Sequence, residues 1–294
     1  MDTAPEKLLR RLEWKLGRRL DGRMQGAYRT VWHGAGIDFT DLRVYSTEDD
    51  VRHIDWNVTA RVDEPYVRLY TEDRELTCWL VLDRSASMRF GGHDGKESVA
   101  AELAISLGRL VSRGGNRVGA ILFDNDAQQV IPPRTGRDQI LRITRSLLRP
   151  PTSRARSTTD LSKMFRLAAS TTMRRRSLIF VMSDFIGEPG WERELARLTH
   201  RHEVVVIRVV DPAELDLPDL GVILVEDAET GEQLLVDTGD PLLRGRLAAE
   251  VGRREDAVAE GMRKAGVDAH RITTDQDLLA ALVGMVQRSG RGRR

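Results

Sequence analysis

Beyond residue 76 the chain alternates between short continuous apolar runs and longer stretches in which apolar residues return at helical spacing. Cys78-Trp79-Leu80-Val81-Leu82, Val118-Gly119-Ala120-Ile121-Leu122-Phe123, Ser177 to Asp184 and Glu203 to Val210 read as buried strands. Ala100, Leu103, Ala104, Leu107 and Leu110 predict a helix over 96–113, closed by Gly114-Gly115-Asn116. Further helices are predicted near 136–148, 160–172 and 191–200. A short strand at 127–131 is expected to run back along 118–123 across Asp124-Asn125-Asp126 and to stop at Pro132-Pro133. The stretch 221–237 reads as a β-hairpin, followed by a long charged helix over 241–265, a strand at 267–272 and a closing helix at 275–287. Strands alternating with helices imply right-handed crossovers, and therefore an α/β fold with a mostly parallel, doubly wound sheet covered on both faces.

The texture before residue 76 is different. Leu8, Leu12, Leu16 and Leu20 place one apolar stripe on a helix over 5–20, with Arg10, Arg11, Lys15, Arg18 and Arg19 on the other face. From Gly22 to Tyr70 glycines interrupt short alternating stretches such as Ile37-Asp38-Phe39 and Val67-Arg68-Leu69-Tyr70, which read as strands. Asp and Arg are dense here, and a network of ion pairs is expected around buried aromatics at Tyr45 and Trp56. The chain is thus expected to comprise an irregular, strand-containing module over 1–75 and an α/β domain over 76–294.

Composition narrows the classes open to it. At 294 residues with 40% apolar and 31% charged content, the chain can bury a substantial core. Forty-six basic against 45 acidic residues give a net charge of +1, which disfavours a nucleic-acid partner engaged by overall charge. Basic residues gather at Lys7 to Arg29 and in the tail Arg288 to Arg294, where a solvated face and a free tail are the simpler readings. Cys78 is the single cysteine, so an intramolecular disulfide and a cysteine-rich zinc site are excluded, and a reducing, cytoplasmic setting is expected. No window approaches the length of a membrane span, and the first twenty residues carry charges where a signal sequence would be apolar.

Candidate chemistry lies at the end of the first apolar strand. Asp83-Arg84-Ser85-Ala86-Ser87 brings a carboxylate and two hydroxyls to the carboxyl edge of the sheet, where open α/β folds place their ligands. Ser157-Thr158-Thr159-Asp160 offers hydroxyls at the start of the helix predicted over 160–172, and Asp184 adds a second carboxylate from another strand end. Hydroxyls and two carboxylates, with waters, compose the octahedral oxygen shell that Mg²⁺ prefers. The competing role for the Asp83–Ser87 loop is a strand-to-helix turn whose hydroxyls cap neighbouring backbone.

Taken together, Asp83, Ser85, Ser87, Thr159 and Asp184 resemble the metal-ion-dependent adhesion site of von Willebrand factor A-like domains. Upstream, Gly36 to Tyr45, Asp49 to Trp56 and Thr59-Ala60-Arg61 resemble the signature of the bacterial family called domain of unknown function 58, DUF58. The resemblance implies a von Willebrand factor A-like sheet and a cation, Mg²⁺ with Mn²⁺ or Ca²⁺ as substitutes. That cation is held directly by the two serines and the threonine, through water by the aspartates, and completed by a partner's carboxylate. It further implies work as an adaptor beside a MoxR-type AAA+ ATPase in chaperone-like maturation of a client protein. Where relatives carry glycines before the threonine, this chain has Ser157 and Thr158, so Thr158 and Thr159 both stand as candidates for the ligand. Many relatives also have membrane helices that this chain lacks, so no membrane role carries over.

Two other functions compete. A metal-dependent phosphoester hydrolase would use Asp83 as nucleophile, yet Ser85 stands where haloacid-dehalogenase-type phosphatases place their second aspartate. A phosphate-binding glycine loop with its Lys-Ser/Thr is absent, and His33, His53, His93, His200, His202 and His270 show no spacing that marks a base for Ser85 or Ser87. A structural or nucleic-acid-associated role through the basic ends is the third. The expectation is therefore a binding module with no catalysis of its own.

Overall fold

The computed structural model describes residues 36–46, 49–62, 64–73, 76–90, 95–124, 128–150, 158–173, 175–216, 219–226 and 232–289. The leucine stripe of Leu8 to Leu20, the Asn125-Asp126 turn, Ser157 and the tail beyond Ser289 lie outside these residues.

Six strands form one sheet in the order β10-β7-β6-β3-β4-β5. They are β3 (Thr77–Asp83), β4 (Arg117–Phe123), β5 (Gln128–Arg134), β6 (Leu178–Ser183), β7 (Glu203–Val210) and β10 (Ala269–Thr273). Every pairing is parallel except β4 with β5. The pleat sends successive side chains to opposite faces, which is why the central strands are apolar throughout. Cys78, Leu80 and Leu82 of β3 join Leu178, Phe180 and Met182 of β6 in one core, whereas Trp79, Val81, Ile179 and Val181 join the other.

Helices α2 (Lys96–Arg113), α3 (Arg137–Leu147) and α7 (Leu278–Ser289) cover the first face. Helices α4 (Leu161–Thr172), α5 (Glu192–Arg201) and α6 (Pro241–Ala265) cover the second. The chain leaves β3 through α2 to reach β4 on one side, and later returns to place β6 on the other side of β3. That reversal of winding direction opens a crevice beyond the carboxyl ends of β3 and β6, the topological switch point of a doubly wound sheet.

Helix α6 matches the range read from its charge and spacing, because its ends are written locally. Asp240 caps the start by accepting the Leu242 N–H at 2.8 Å, Pro241 occupies the first turn, and Gly266 ends the helix with a left-handed φ of 67°. Strand β5 departs from expectation by running through Pro132 and Pro133 to Arg134 instead of stopping at the prolines. It is the edge strand, and its register with β4 slips between Val118 and Ala120, so the missing N–H groups fall where ladder bonding is already interrupted.

Two smaller sheets stand apart from the six strands. β1 (Gly36–Val44) and β2 (Tyr66–Asp73) pair antiparallel, with an irregularity between Phe39 and Asp41. Between them a short helix α1 (Trp56–Val62) is capped by buried Asp55, whose Oδ1 accepts the N–H groups of Asn57 at 3.0 Å and Val58 at 3.3 Å. Of the expected ion-pair network, the described residues contain Arg43 with Asp49. Trp56, expected inside, is 68% exposed, because the buried position at the start of α1 goes to the capping carboxylate beside it. The predicted hairpin forms from β8 (Val222–Glu226) and β9 (Gln233–Asp237), and it leaves Val222, Leu224, Leu234 and Leu235 exposed.

Candidate metal centre

The apolar strand β3 delivers Asp83 into the crevice almost fully buried, and backbone and hydroxyl donors then fix both of its oxygens. Oδ1 accepts the N–H of Ser85 at 2.9 Å, and Oδ2 accepts the hydroxyl of Ser183 at 2.6 Å, so the last residue of β6 holds the last residue of β3. After Asp83 the chain turns, and Ser87 opens a short 3-10 helix, Ser87–Arg89. The turn brings the Oγ atoms of Ser85 and Ser87 to 3.0 Å from one another, both residues being buried. Cis ligands of a Mg²⁺ ion at about 2.0–2.1 Å stand about 2.9 Å apart, so the two hydroxyls are spaced as one edge of its octahedron.

Arg84, which the sequence reading passed over, is the fastener of this loop. Its guanidinium pairs with Glu97 of α2 at 2.6 Å and donates to the carbonyls of Ser146 and Arg149 at the C-terminal end of α3. These carbonyls stand at the negative end of the helix dipole, which suits a cation.

Asp184, also buried, follows β6 directly. Its Oδ1 accepts the Ile186 N–H at 3.0 Å, while Oδ2 receives the Lys96 ammonium at 2.6 Å. The next residue, Phe185, adopts a left-handed φ of 59°, rare for a bulky side chain. Its N–H donates to the Ser183 Oγ at 2.9 Å, and its ring packs against Trp191 at 5.0 Å and Phe165 at 6.3 Å, which offsets the strain.

The α4 side of the crevice separates the two threonines. Thr158 is exposed and Thr159 fully buried, while Asp160, as the α4 N-cap, accepts the Lys163 N–H at 2.9 Å. The Thr159 carbonyl accepts the N–H of Glu188 at 2.9 Å and lies so close to Gly187 that a Cβ there would meet it at 2.3 Å. Thr159 is thereby locked to the loop that follows Asp184, and Gly187 is required for that approach. Gly187→Ala is expected to cost about 1–3 kcal/mol by overpacking the contact, read as a lower urea midpoint at unchanged slope.

The electrostatics are dominated by buried carboxylates. Burial first, and then the charge of Asp184, raise the Asp83 carboxyl from 3.8 to about 7, against the hydrogen bonds from Ser183 and Ser85 that favour its ionised form. Burial likewise pushes Glu214 upward, and the neighbouring Lys96 opposes that shift. Arg84 and Arg208 bring no spare charge, since Glu97 and Glu255 pair with them. Three carboxylates, Asp83, Asp184 and Glu214, gather around the Lys96 ammonium, and the charge of Arg254 also acts on Glu214. Among the described residues no group of three or more His, Cys, Asp and Glu is arranged to hold a metal ion. A cation in this crevice would rest on the hydroxyls, with the carboxylates acting at longer range, and the spacing of Ser85 and Ser87 fits a small hard ion.

The crevice thus brings together Asp83, Ser85, Ser87 and Asp184, and places Thr159 against the same loop. Lys96 and Glu214 belong to it as well, and neither was read from the sequence. His202 has a different employment: at the opposite, N-terminal ends of β6 and β7, its Nδ1 accepts the Ser177 N–H at 3.2 Å and its Nε2 lies 3.2 Å from the Thr172 hydroxyl. No helix among the described residues is long and apolar enough to cross a membrane.

Comparison with known families matches residues 41–257 to the model described as "Protein of unknown function DUF58". An uncharacterized protein of Mycobacterium tuberculosis is 37% identical over 285 residues, covering 97% of this chain and 89% of that protein. Among solved structures, the conserved hypothetical protein BatB from Bacteroides thetaiotaomicron is similar at 15% identity and a TM-score of 0.48, over 74% of this chain and 99% of that one. The SpRpn10 VWA domain is similar at 14% identity and a TM-score of 0.41, over 71% of this chain and 93% of that one.

Proposed function

The chain belongs to the DUF58 family, and from that premise we propose that it is a protein-interaction adaptor that docks partners through a divalent cation held at the β3–β6 crevice. The cation is Mg²⁺, with Mn²⁺ or Ca²⁺ as substitutes; Ser85, Ser87 and Thr159 hold it, Asp83 and Asp184 anchor its waters, and an acidic side chain of the partner completes the shell. The observation that carries this reading is the pair of buried hydroxyls 3.0 Å apart beside two buried carboxylates. A cation bound mainly by neutral oxygens keeps most of its charge available for an anionic ligand. The exposed leucines and valines of the β8–β9 hairpin supply apolar surface of the kind that protein partners cover.

The partner proposed is a MoxR-type AAA+ ATPase, with the adaptor presenting a client to it in a cytoplasmic setting. A hydrolase reading is weaker, because Asp83 has both oxygens engaged by Ser85 and Ser183 and is not poised to attack. Affinity capture on the purified full chain tests the proposal. A purified MoxR-type ATPase is expected to be retained in Mg²⁺ and released by a chelator; retention indifferent to the cation overturns it.

A further inference from the structure

Lys96 is fully excluded from solvent, and it heads the fully buried side chains ordered by size. Its position is electrostatically awkward, since it is the first residue of α2, where the helix dipole disfavours a cation. It is held there by two carboxylates from distant parts of the chain: Nζ lies 2.6 Å from Asp184 Oδ2 and 2.6 Å from Glu214 Oε1. Glu214 stands on the 3-10 turn Pro212–Glu214 that follows β7, and the Phe90 ring lies 5.9 Å from the same ammonium. A buried ammonium requires this much compensation.

The consequence follows from what Asp184 is asked to do. If a divalent cation uses Asp184 through water, it must share that carboxylate with a monovalent cation already bonded to it. Resting on the proposed cation site, we propose that Lys96 is a resident counter-cation competing with the divalent ion for Asp184, and that Glu214 is the acceptor that retains the ammonium when the ion arrives. Lys96 keeps the crevice stable without a divalent ion and sets its affinity below what the carboxylates alone would give. Glu214 acts in the opposite sense, by drawing the ammonium charge away from Asp184.

Isothermal titration with Mg²⁺ alone on the full chain, as wild type, Lys96→Gln and Glu214→Gln, tests this. Glutamine at 96 keeps a donor for the carboxylates while removing the charge, and is expected to tighten Mg²⁺ binding roughly tenfold or more; Glu214→Gln is expected to weaken it by roughly tenfold. A role in packing alone would weaken both or neither. Tightening in the first variant supports the proposal even where wild-type binding is too weak to measure. Wild-type binding with no tightening in Lys96→Gln overturns the competition and leaves the adaptor reading standing. Should Lys96→Gln fail to fold, Glu214→Gln decides alone, and binding equal to or tighter than wild type overturns the proposal. Absence of Mg²⁺ binding in all three overturns both the competition and the cation site on which it rests.

Discussion

Replacing Ser85 and Ser87 together by alanine is expected to abolish Mg²⁺ binding while leaving the fold intact. The two effects separate because of what the hydroxyls touch. Each Oγ has the other as its partner at 3.0 Å, and Asp83, which the Ser85 side chain also hydrogen-bonds, keeps its bonds from the Ser85 N–H and the Ser183 hydroxyl when both hydroxyls are removed. Replacing both partners of a buried hydrogen bond by apolar groups is close to neutral, unlike removing one of them. The Ser85 backbone N–H that positions Asp83 is untouched by the change. Circular dichroism and the urea midpoint should therefore stay near wild type, while titration calorimetry loses its heat of Mg²⁺ binding. A double variant that binds Mg²⁺ as wild type does would remove the hydroxyls from the site.

Much of this arrangement is legible in the sequence because the relevant physics is local. An apolar run of strand length that ends on Asp83, and another that ends on Ser183-Asp184, announce buried strands that deliver polar groups to one edge of a sheet. The caps of α6 are written in Asp240, Pro241 and Gly266, so that helix could be placed to the residue. What escaped is the part fixed by distant partners. Lys96 next to Glu97 at the start of a helix has the look of a solvated first turn, and the carboxylate of Glu214 lies 118 positions away. Arg84 sits inside the flagged motif, yet its role depends on α3 carbonyls more than sixty residues on. The Thr158 and Thr159 alternatives could not be separated by spacing, since adjacent residues at a helix start differ only in which one the following loop covers. Here the Gly187 backbone covers Thr159. The same limit explains β5: two prolines signal a strand end unless the strand is known to lie on an edge at a slip in register.

Stability without divalent ions is expected to fall as pH rises from about 4 to about 7, and Asp83→Asn is expected to remove most of that fall. The folded-state carboxyl of Asp83 stands at about 7 against 3.8 for the free group. Below both values the native and unfolded states are equally protonated at this position, and it contributes no pH dependence. Between them the native state keeps a proton that the unfolded chain has released, so each step upward in pH favours unfolding. Above about 7 the whole penalty is present, on the order of 4 kcal/mol for a displacement of this size. Asparagine can preserve the local bonding, its oxygen accepting the Ser85 N–H and its amide donating to the Ser183 Oγ, while no charge develops. Urea denaturation at pH 5 and pH 8 in chelator should show a wild type that loses stability across the interval and a variant that loses much less. Added Mg²⁺ should restore the wild type at pH 8 by binding its folded state and leave the variant little changed. Parallel pH profiles for the two proteins would mean that Asp83 does not carry the strain, and that the crevice is satisfied without the cation its charges call for.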